Sequence, residues 1–470
     1  MNTTLELHPD RLLPTDPAVR SLARRLYAEV APLPIVSPHG HVEASLLAED
    51  QPFGDPAALF VQPDHYVTRM LRAHGVDYRS LGLNPAQPVE PREVWRTLCS
   101  HWWAFRGTPS RYWLESELVD VFGIAVKPSA ETADLLFDQL TDRLSESAFR
   151  PRALYERFNL EVLATTDDPC ADLAAHQRLR SDPSWSGRVI PTFRPDAYLD
   201  PNRVDWSKRV ARLGEVSGID TGSYQGFLQA LEARRRYFAE NGATASDHGV
   251  LDSETQPLEA AYAQQVFSRA LTGEANSNER TAFRRHMMFE MARMAAEDGL
   301  VMQLHPAVLR DHHTATSNAY GPDRGADIPV PAEFTRSLRP LLDSFGTHPN
   351  FRLVLFTIDE TTFSREIAPL AGFYPSVYAG APWWFLDEPE AIGRYRAAVT
   401  GTAGFHKTAG FVDDTRAYCS IPVRHDMARR LDCGFLARLV VEHRLDEDEA
   451  AETARDLAYE LPRSVFRVGQ

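Results

Sequence analysis

The feature that most constrains the fold of this 470-residue chain is an alternation. After residue 150, short apolar runs are separated by longer amphipathic stretches. The runs are Leu160–Thr165, Val189–Phe193, Ala243–Ser246, Leu300–Leu304, Phe351–Phe356, Ser376–Ala379 and Gly410–Val412, and Leu33–Val36 supplies one more near the N-terminus. Helical patterns such as Asp205–Leu213, Ser223–Glu240 and Glu279–Glu297 separate most of them. A buried strand followed by a helix brings the chain back to begin a parallel neighbour, so repeated units build a parallel sheet. Eight such units predict a closed (β/α)8 TIM-type barrel.

Residues 43–150 break the alternation. They carry tryptophans and helical patterns (Tyr66–Ala73, Pro91–His101, Tyr112–Phe122, Ala130–Leu144) but few strand-like runs. The expected organisation is therefore a barrel from 1–42 and 151–470, with 43–150 as a helical insertion after the first strand. Ahead of that strand, Asp16 and Pro17 sit where an N-cap and first helical residue belong, and Val19, Leu22, Leu26 and Val30 form one apolar stripe.

Composition narrows the partners. Fifty basic against 65 acidic side chains give a net charge of −15, which argues against nucleic acid. Cys99, Cys170, Cys419 and Cys433 are far apart, with no CxxC pair, which suits free thiols in a reducing compartment. The N-terminal residues show no basic region followed by an apolar run, and no apolar stretch approaches bilayer length. The expectation is a cytoplasmic protein without membrane contact.

In a barrel of this kind, chemistry gathers at the C-terminal ends of the strands. Polar residues follow the apolar runs there: His39 and His41, Thr165-Thr-Asp-Asp168, Arg194-Pro-Asp196, Asp247-His248, Gln303 and His305, and Asp413-Asp-Thr-Arg416. Histidines two apart on an extended segment point to one side, so His39 and His41 can converge on a divalent metal or else be solvated loop residues. His305 could join the site or be a core histidine bonded to a carbonyl. Asp414 could ligate a metal and accept a proton, or cap a helix. Arg194 and Arg416 offer bidentate forks for a carboxylate, with a surface ion pair as the plain alternative. Trp383 and Trp384 could wall a pocket or simply be core. The three lysines, Lys127, Lys208 and Lys407, lie away from the expected mid-barrel strand ends. That disfavours a lysine-bridged metal pair and Schiff-base chemistry, and points to a single ion.

Taken in order, several segments resemble the uronate isomerase family of the amidohydrolase superfamily. They are His39-Gly-His41, Asp64-His-Tyr66 with Arg69 and Arg72, Thr165-Thr-Asp-Asp-Pro169, Pro191-Thr-Phe-Arg-Pro-Asp196 and Ser246-Asp-His-Gly249. Then follow Met302-Gln-Leu-His305 with Arg310, Trp383-Trp-Phe385, Asp414-Thr-Arg416 and Arg424-His425. The resemblance spans nearly the whole chain. It implies a metal held by His39, His41 and Asp414 with His305 near it. It brings His65 and Tyr66 into the site from the insertion, and puts Arg194, Arg416, Arg310, Trp383 and Trp384 around the substrate. The implied catalytic set is Asp414, Tyr66, His65, His305 and Arg416. The implied reaction is aldose–ketose isomerisation of hexuronic acids, D-glucuronate to D-fructuronate and D-galacturonate to D-tagaturonate, by C2 proton abstraction through a cis-enediol. The implied cofactor is one divalent ion, zinc by its donor set, and the implied partners are a small sugar acid and further copies of the chain.

The chain departs from the family pattern in places. Gly40 replaces a usual cysteine, Asp413 a usual threonine, and Asp311-His-His313 an asparagine-rich tail after Arg310. The stretch Tyr374–Pro382 lacks expected basic and amide residues. A mononuclear metal-dependent hydrolase or lyase of the same superfamily is the alternative reading, with the metal activating water.

Overall fold

The computed structural model describes residues 3–84 and 87–469. Its central strands are short and buried on both faces, which is why they read as apolar runs and not as alternating ones. They are β1 (Ile35–Ser37), β2 (Leu160–Ala164), β3 (Val189–Ile190), β4 (Ala245–His248) and β5 (Val301–Leu304), followed by β6 (Val308–Leu309), β7 (Ile328–Pro329), β8 (Leu353–Leu355) and β9 (Val377–Ala379). β1, β2 and β3 pair in parallel in that order, as do β4, β5, β8 and β9.

Single bridges continue the ring where regular ladders stop. Phe193 joins Asp167 on one side and Ser246 on the other, and Ala379 joins Thr408. The last seam is closed by the His41 N–H, which donates to the Thr415 carbonyl at 2.9 Å. The eighth apolar run is thus a bridged segment, not the strand expected over Gly410–Val412. Gly410 takes a left-handed φ of 74°, which interrupts regular extension there. The other departure is β6 and β7, an antiparallel pair outside the barrel order that carries the loop after β5 across its mouth.

Alternation along the strands separates two cores. Val36, Val162, Ala164, Ile190, Ala245, Val301 and Val354 share the inner cluster. Met302, Leu304, Leu353 and Leu355 instead join the outer layer of helices, which includes Phe227, Phe267, Phe283 and Met291. The helices begin and end where the sequence says they should. Asp16 accepts from the Ala18 and Val19 N–H groups ahead of the helix Pro17–Val30. Asn276 and Glu279 form a reciprocal capping box for Ser277–Asp298, which Gly299 ends at φ 80°.

Between β1 and β2 the chain forms helices and tight turns around their own apolar cluster, including Phe60, Leu71, Trp95, Trp113 and Leu140. Among them His65–Ala73 leans over the barrel mouth, capped by the Asp64 carboxylate, which accepts from the Tyr66 N–H at 2.8 Å. The four cysteines are free. No helix among the described residues is long and apolar enough to cross a membrane.

Candidate active site

The C-terminal ends of the strands surround a cavity of about 520 Å³. His39 and His41 enter it just beyond β1. Their Nε2 atoms lie 3.2 and 2.9 Å from the same oxygen, Oδ1 of Asp414. Asp414 reaches them from the neighbouring segment across the closing seam with a φ of 41°, a left-handed conformation that few non-glycine residues adopt. Neighbouring contacts hold that turn. Arg424 donates to the Asp413 carbonyl at 3.2 Å, and His425 Nε2 lies 3.0 Å from the Asp413 carboxylate.

Asp414 Oδ1 is buried and finds no hydrogen-bond donor despite its two close imidazole neighbours. Lone pairs therefore converge on one point, the arrangement a cation requires, and His39, His41 and Asp414 form a set able to hold a metal ion. Charge agrees with geometry. Burial alone would raise the Asp414 pKa, but His39 and His41 hold it well below the usual carboxylate range. Burial depresses His41, favouring the neutral form that ligates. At His39 burial is outweighed by Asp247 and Asp414, which favour positive charge at this spot.

His305 ends β5 with its ring stacked at 4.9 Å on His39 and at 4.1 Å on Phe356. Its Nδ1 is 2.7 Å from Asp247 Oδ1, while Nε2 has no partner. Arg194 lies at the same carboxylate, 3.3 Å from Asp247 Oδ2, and also donates to Asp196 at 2.9 Å. Arg416 donates to Asp323, a residue of the loop after β5. Arg310 donates to Asp327 at 2.8 Å and covers the Trp384 ring at 5.3 Å. His65 and Tyr66 reach the cavity from the insertion, stacked on each other at 4.7 Å, with His65 edge-on to Trp384. Burial lowers the His65 pKa, helped by Arg416, and raises that of Tyr66, so both are neutral near pH 7. Trp383 and Trp384 line the same cavity. The structure thus brings His39, His41, His65, Tyr66, Arg194, His305, Arg310, Trp383, Trp384, Asp414 and Arg416 to one cavity, although each of the three arginines already faces a carboxylate of the protein.

A glucuronate isomerase family profile matches residues 17–466. The chain belongs to the glucuronate isomerase family. Within it, a uronate isomerase of Corynebacterium efficiens is 50% identical over 469 residues, covering 100% of both chains. One of Rhizorhabdus wittichii is 52% identical over 464 residues, covering 99% of each. A glucuronate isomerase crystal structure from Caulobacter crescentus superposes with a TM-score of 0.97 at 46% identity, covering 99% of this chain and 98% of the other.

Three residues of this member of the glucuronate isomerase family have partners that the sequence does not reveal. Asp247 is 1% exposed and sits between His305 and Arg194. It was visible as a polar residue behind an apolar run, but the strand continues to His248. Period two then stacks Asp247 above inward-facing Ala245, as His305 and Gln303 stack above Val301. Arg424 lies beneath Tyr66 with its guanidinium 3.7 Å from the Trp113 ring centroid and 5.5 Å from that of Tyr66, and it donates to Asp387 at 2.9 Å. Burial, with Asp413 and Asp414 nearby, raises Asp387 to about 7 against the opposing pull of Arg424. No sequence spacing links residues 66, 113, 387 and 424.

Two departures from the family pattern have structural explanations. A Cβ on Gly40 would come no nearer than 3.4 Å to its closest neighbours, the Thr415 and Ala164 carbonyls and Asp413 Oδ1, so glycine is not required there. Asp413 is paired with His425 inside the protein, so its charge does not face the cavity alone.

Proposed function

We propose that this chain is a metal-dependent aldose–ketose isomerase of hexuronic acids, interconverting D-glucuronate with D-fructuronate and D-galacturonate with D-tagaturonate. The observation that carries the reading is the convergence of His39, His41 and Asp414 on one point beneath a cavity flanked by Arg194, Arg310 and Arg416. Full-length relatives that bear the name uronate isomerase support it. We assign 1–42 and 151–470 to the barrel and 43–150 to an insertion that helps to form the site.

Isomerisation moves a carbonyl between C1 and C2, which requires removing the C2 proton and stabilising a cis-enediol. A divalent ion, zinc by this donor set, would be held by His39, His41 and Asp414 and would polarise the substrate oxygens where negative charge develops. Asp414 stays ionised throughout the neutral range and is the proton acceptor at C2. Tyr66 keeps its proton and donates to a substrate oxygen. His305 gives its Nδ1 proton to Asp247 in a hydrogen bond, leaving the Nε2 lone pair for a substrate hydroxyl. Arg416 and Arg194 hold the C6 carboxylate and steady the enediol, and the Trp383–Trp384 wall with Arg310 excludes water. The free cysteines suit a cytoplasmic enzyme, and we expect a homo-oligomer, checked by light scattering.

The test is incubation of metal-loaded protein with D-glucuronate or D-galacturonate in deuterated water, following C2 by NMR. Deuterium at C2 or ketose formation is the expected result. No exchange with any uronate, alongside hydrolysis of an ester, lactone or amide, would replace the isomerase with a hydrolase of the same superfamily.

A further inference from the structure

A second cavity, of about 550 Å³, opens at the opposite end of the barrel, where the chain enters β1 and β2. Its walls bring together four guanidiniums, Arg11, Arg157, Arg429 and Arg430, against two carboxylates, Asp120 and Asp426. Both carboxylates are already engaged. Asp426 takes bonds from Arg11 at 3.1 Å, from Arg430 at 2.8 Å and from the Tyr27 hydroxyl, and Asp120 takes one from Arg11 at 2.9 Å.

Arg157 and Arg429 have no carboxylate partner among the described residues. Arg157 donates to the Val121 carbonyl at 2.9 Å, and Arg429 to the carbonyls of Ala31 and Pro34 at 3.1 and 2.9 Å. Arg429 is only 7% exposed, and its Nε has no hydrogen-bond partner. Burial lowers the pKa of both, although nearby Asp426 pulls that of Arg429 the other way. Arg157 is exposed and solvated, whereas the buried Arg429 carries its charge without a bonded carboxylate, which is costly. Among the described residues most buried arginines besides Arg429 have a carboxylate, as Arg235, Arg396 and Arg424 do, while Arg234 bonds only to the Pro169 and Ala171 carbonyls.

We infer that this cavity binds a small dianion, of the phosphate-ester or inorganic phosphate class, between Arg157 and Arg429. A dianion would neutralise the excess of two charges, and guanidinium forks match phosphate oxygens. The volume suits a small metabolite. The site is distinct from the catalytic cavity and shares none of its lining residues. It is physically tied to that cavity. Arg429 holds the Pro34 carbonyl just ahead of β1, five residues before His39. The helix Ile421–Val441, which carries Arg429 and Arg430 to this cavity, also carries Arg424 and His425 to the other.

The test is titration calorimetry of the full-length protein with inorganic phosphate and with a sugar phosphate. It is run on wild type, on Arg157→Gln, and on wild type saturated with a uronate to block the catalytic arginines. Arg157 is the variant of choice, because Arg429 also secures the β1 entry and its loss could unfold the chain. The expected result is binding that survives the uronate and weakens at least tenfold in Arg157→Gln, with the melting temperature without phosphate unchanged. A tenfold stronger response to the sugar phosphate than to phosphate identifies an ester ligand, and equal responses identify the free anion. No binding, binding abolished by uronate, or equal binding by Arg157→Gln would overturn the inference.

Discussion

Asp247 fixes the tautomer of His305. Their Oδ1 and Nδ1 atoms are 2.7 Å apart and both residues are buried. Burial opposes ionisation of Asp247, yet Arg194, His305 and His39 hold its pKa well below the usual range. As an ionised acceptor it takes the Nδ1 proton, so Nε2 is the lone pair that faces the cavity. Asp247→Asn keeps the volume but removes the charge that orients both His305 and Arg194. We expect kcat to fall by about 10- to 100-fold, in the range for loss of an orienting hydrogen bond, with metal content retained. Wild-type kcat in this variant would show that the ionised carboxylate is dispensable.

His41 contributes one of three converging donors, and two donors hold a divalent ion poorly. His41→Ala should lose bound metal and activity together, activity by at least about 100-fold. Elemental analysis of the purified variant beside its turnover checks this. Full activity without bound metal contradicts the proposed mechanism.

Away from the site, Arg396 and Asp432 form a two-pronged pair at 2.6 and 2.8 Å in the packed layer between Pro389–Ala403 and Ile421–Val441. Both are buried, so removing one leaves the other's charge without compensation. Asp432→Asn should cost about 3–5 kcal/mol. A shift of the urea unfolding midpoint reads this, and an unchanged midpoint means water reaches the pair.

The acid limb of stability has a marker in His286. Its Nδ1 accepts from the Leu258 N–H at 3.1 Å, so its Nε2 proton points to the Tyr224 hydroxyl at 2.6 Å. Burial, with Arg293 nearby, lowers its pKa to about 4 from a model-peptide value of 6.5. The unfolded chain therefore takes up this proton first as pH falls. Stability from this group is complete above pH 6.5 and drains away toward pH 4, by about 2 kcal/mol at pH 5. His286→Gln should flatten that part of the stability–pH curve. An unaltered slope between pH 7 and 5 assigns the acid loss to other groups.

The sequence by itself determined the strand order, because each buried parallel strand must be a short apolar run and each crossover a helix with one apolar face. It also marked His39, His41, His305 and Asp414 as candidates, since polar residues directly behind such runs gather at the mouth of a barrel. The glycine kink at Gly410 hid from that reading, because a single residue in a left-handed conformation breaks a ladder without altering hydrophobic pattern. What only the tertiary structure decided is pairing across distance. Asp247 belongs with His305 and Arg194, Arg424 with Trp113 and Tyr66, and Asp323 with Arg416. Periodicity fixes which face of an element a side chain takes, and ring closure alone sets which other face it meets.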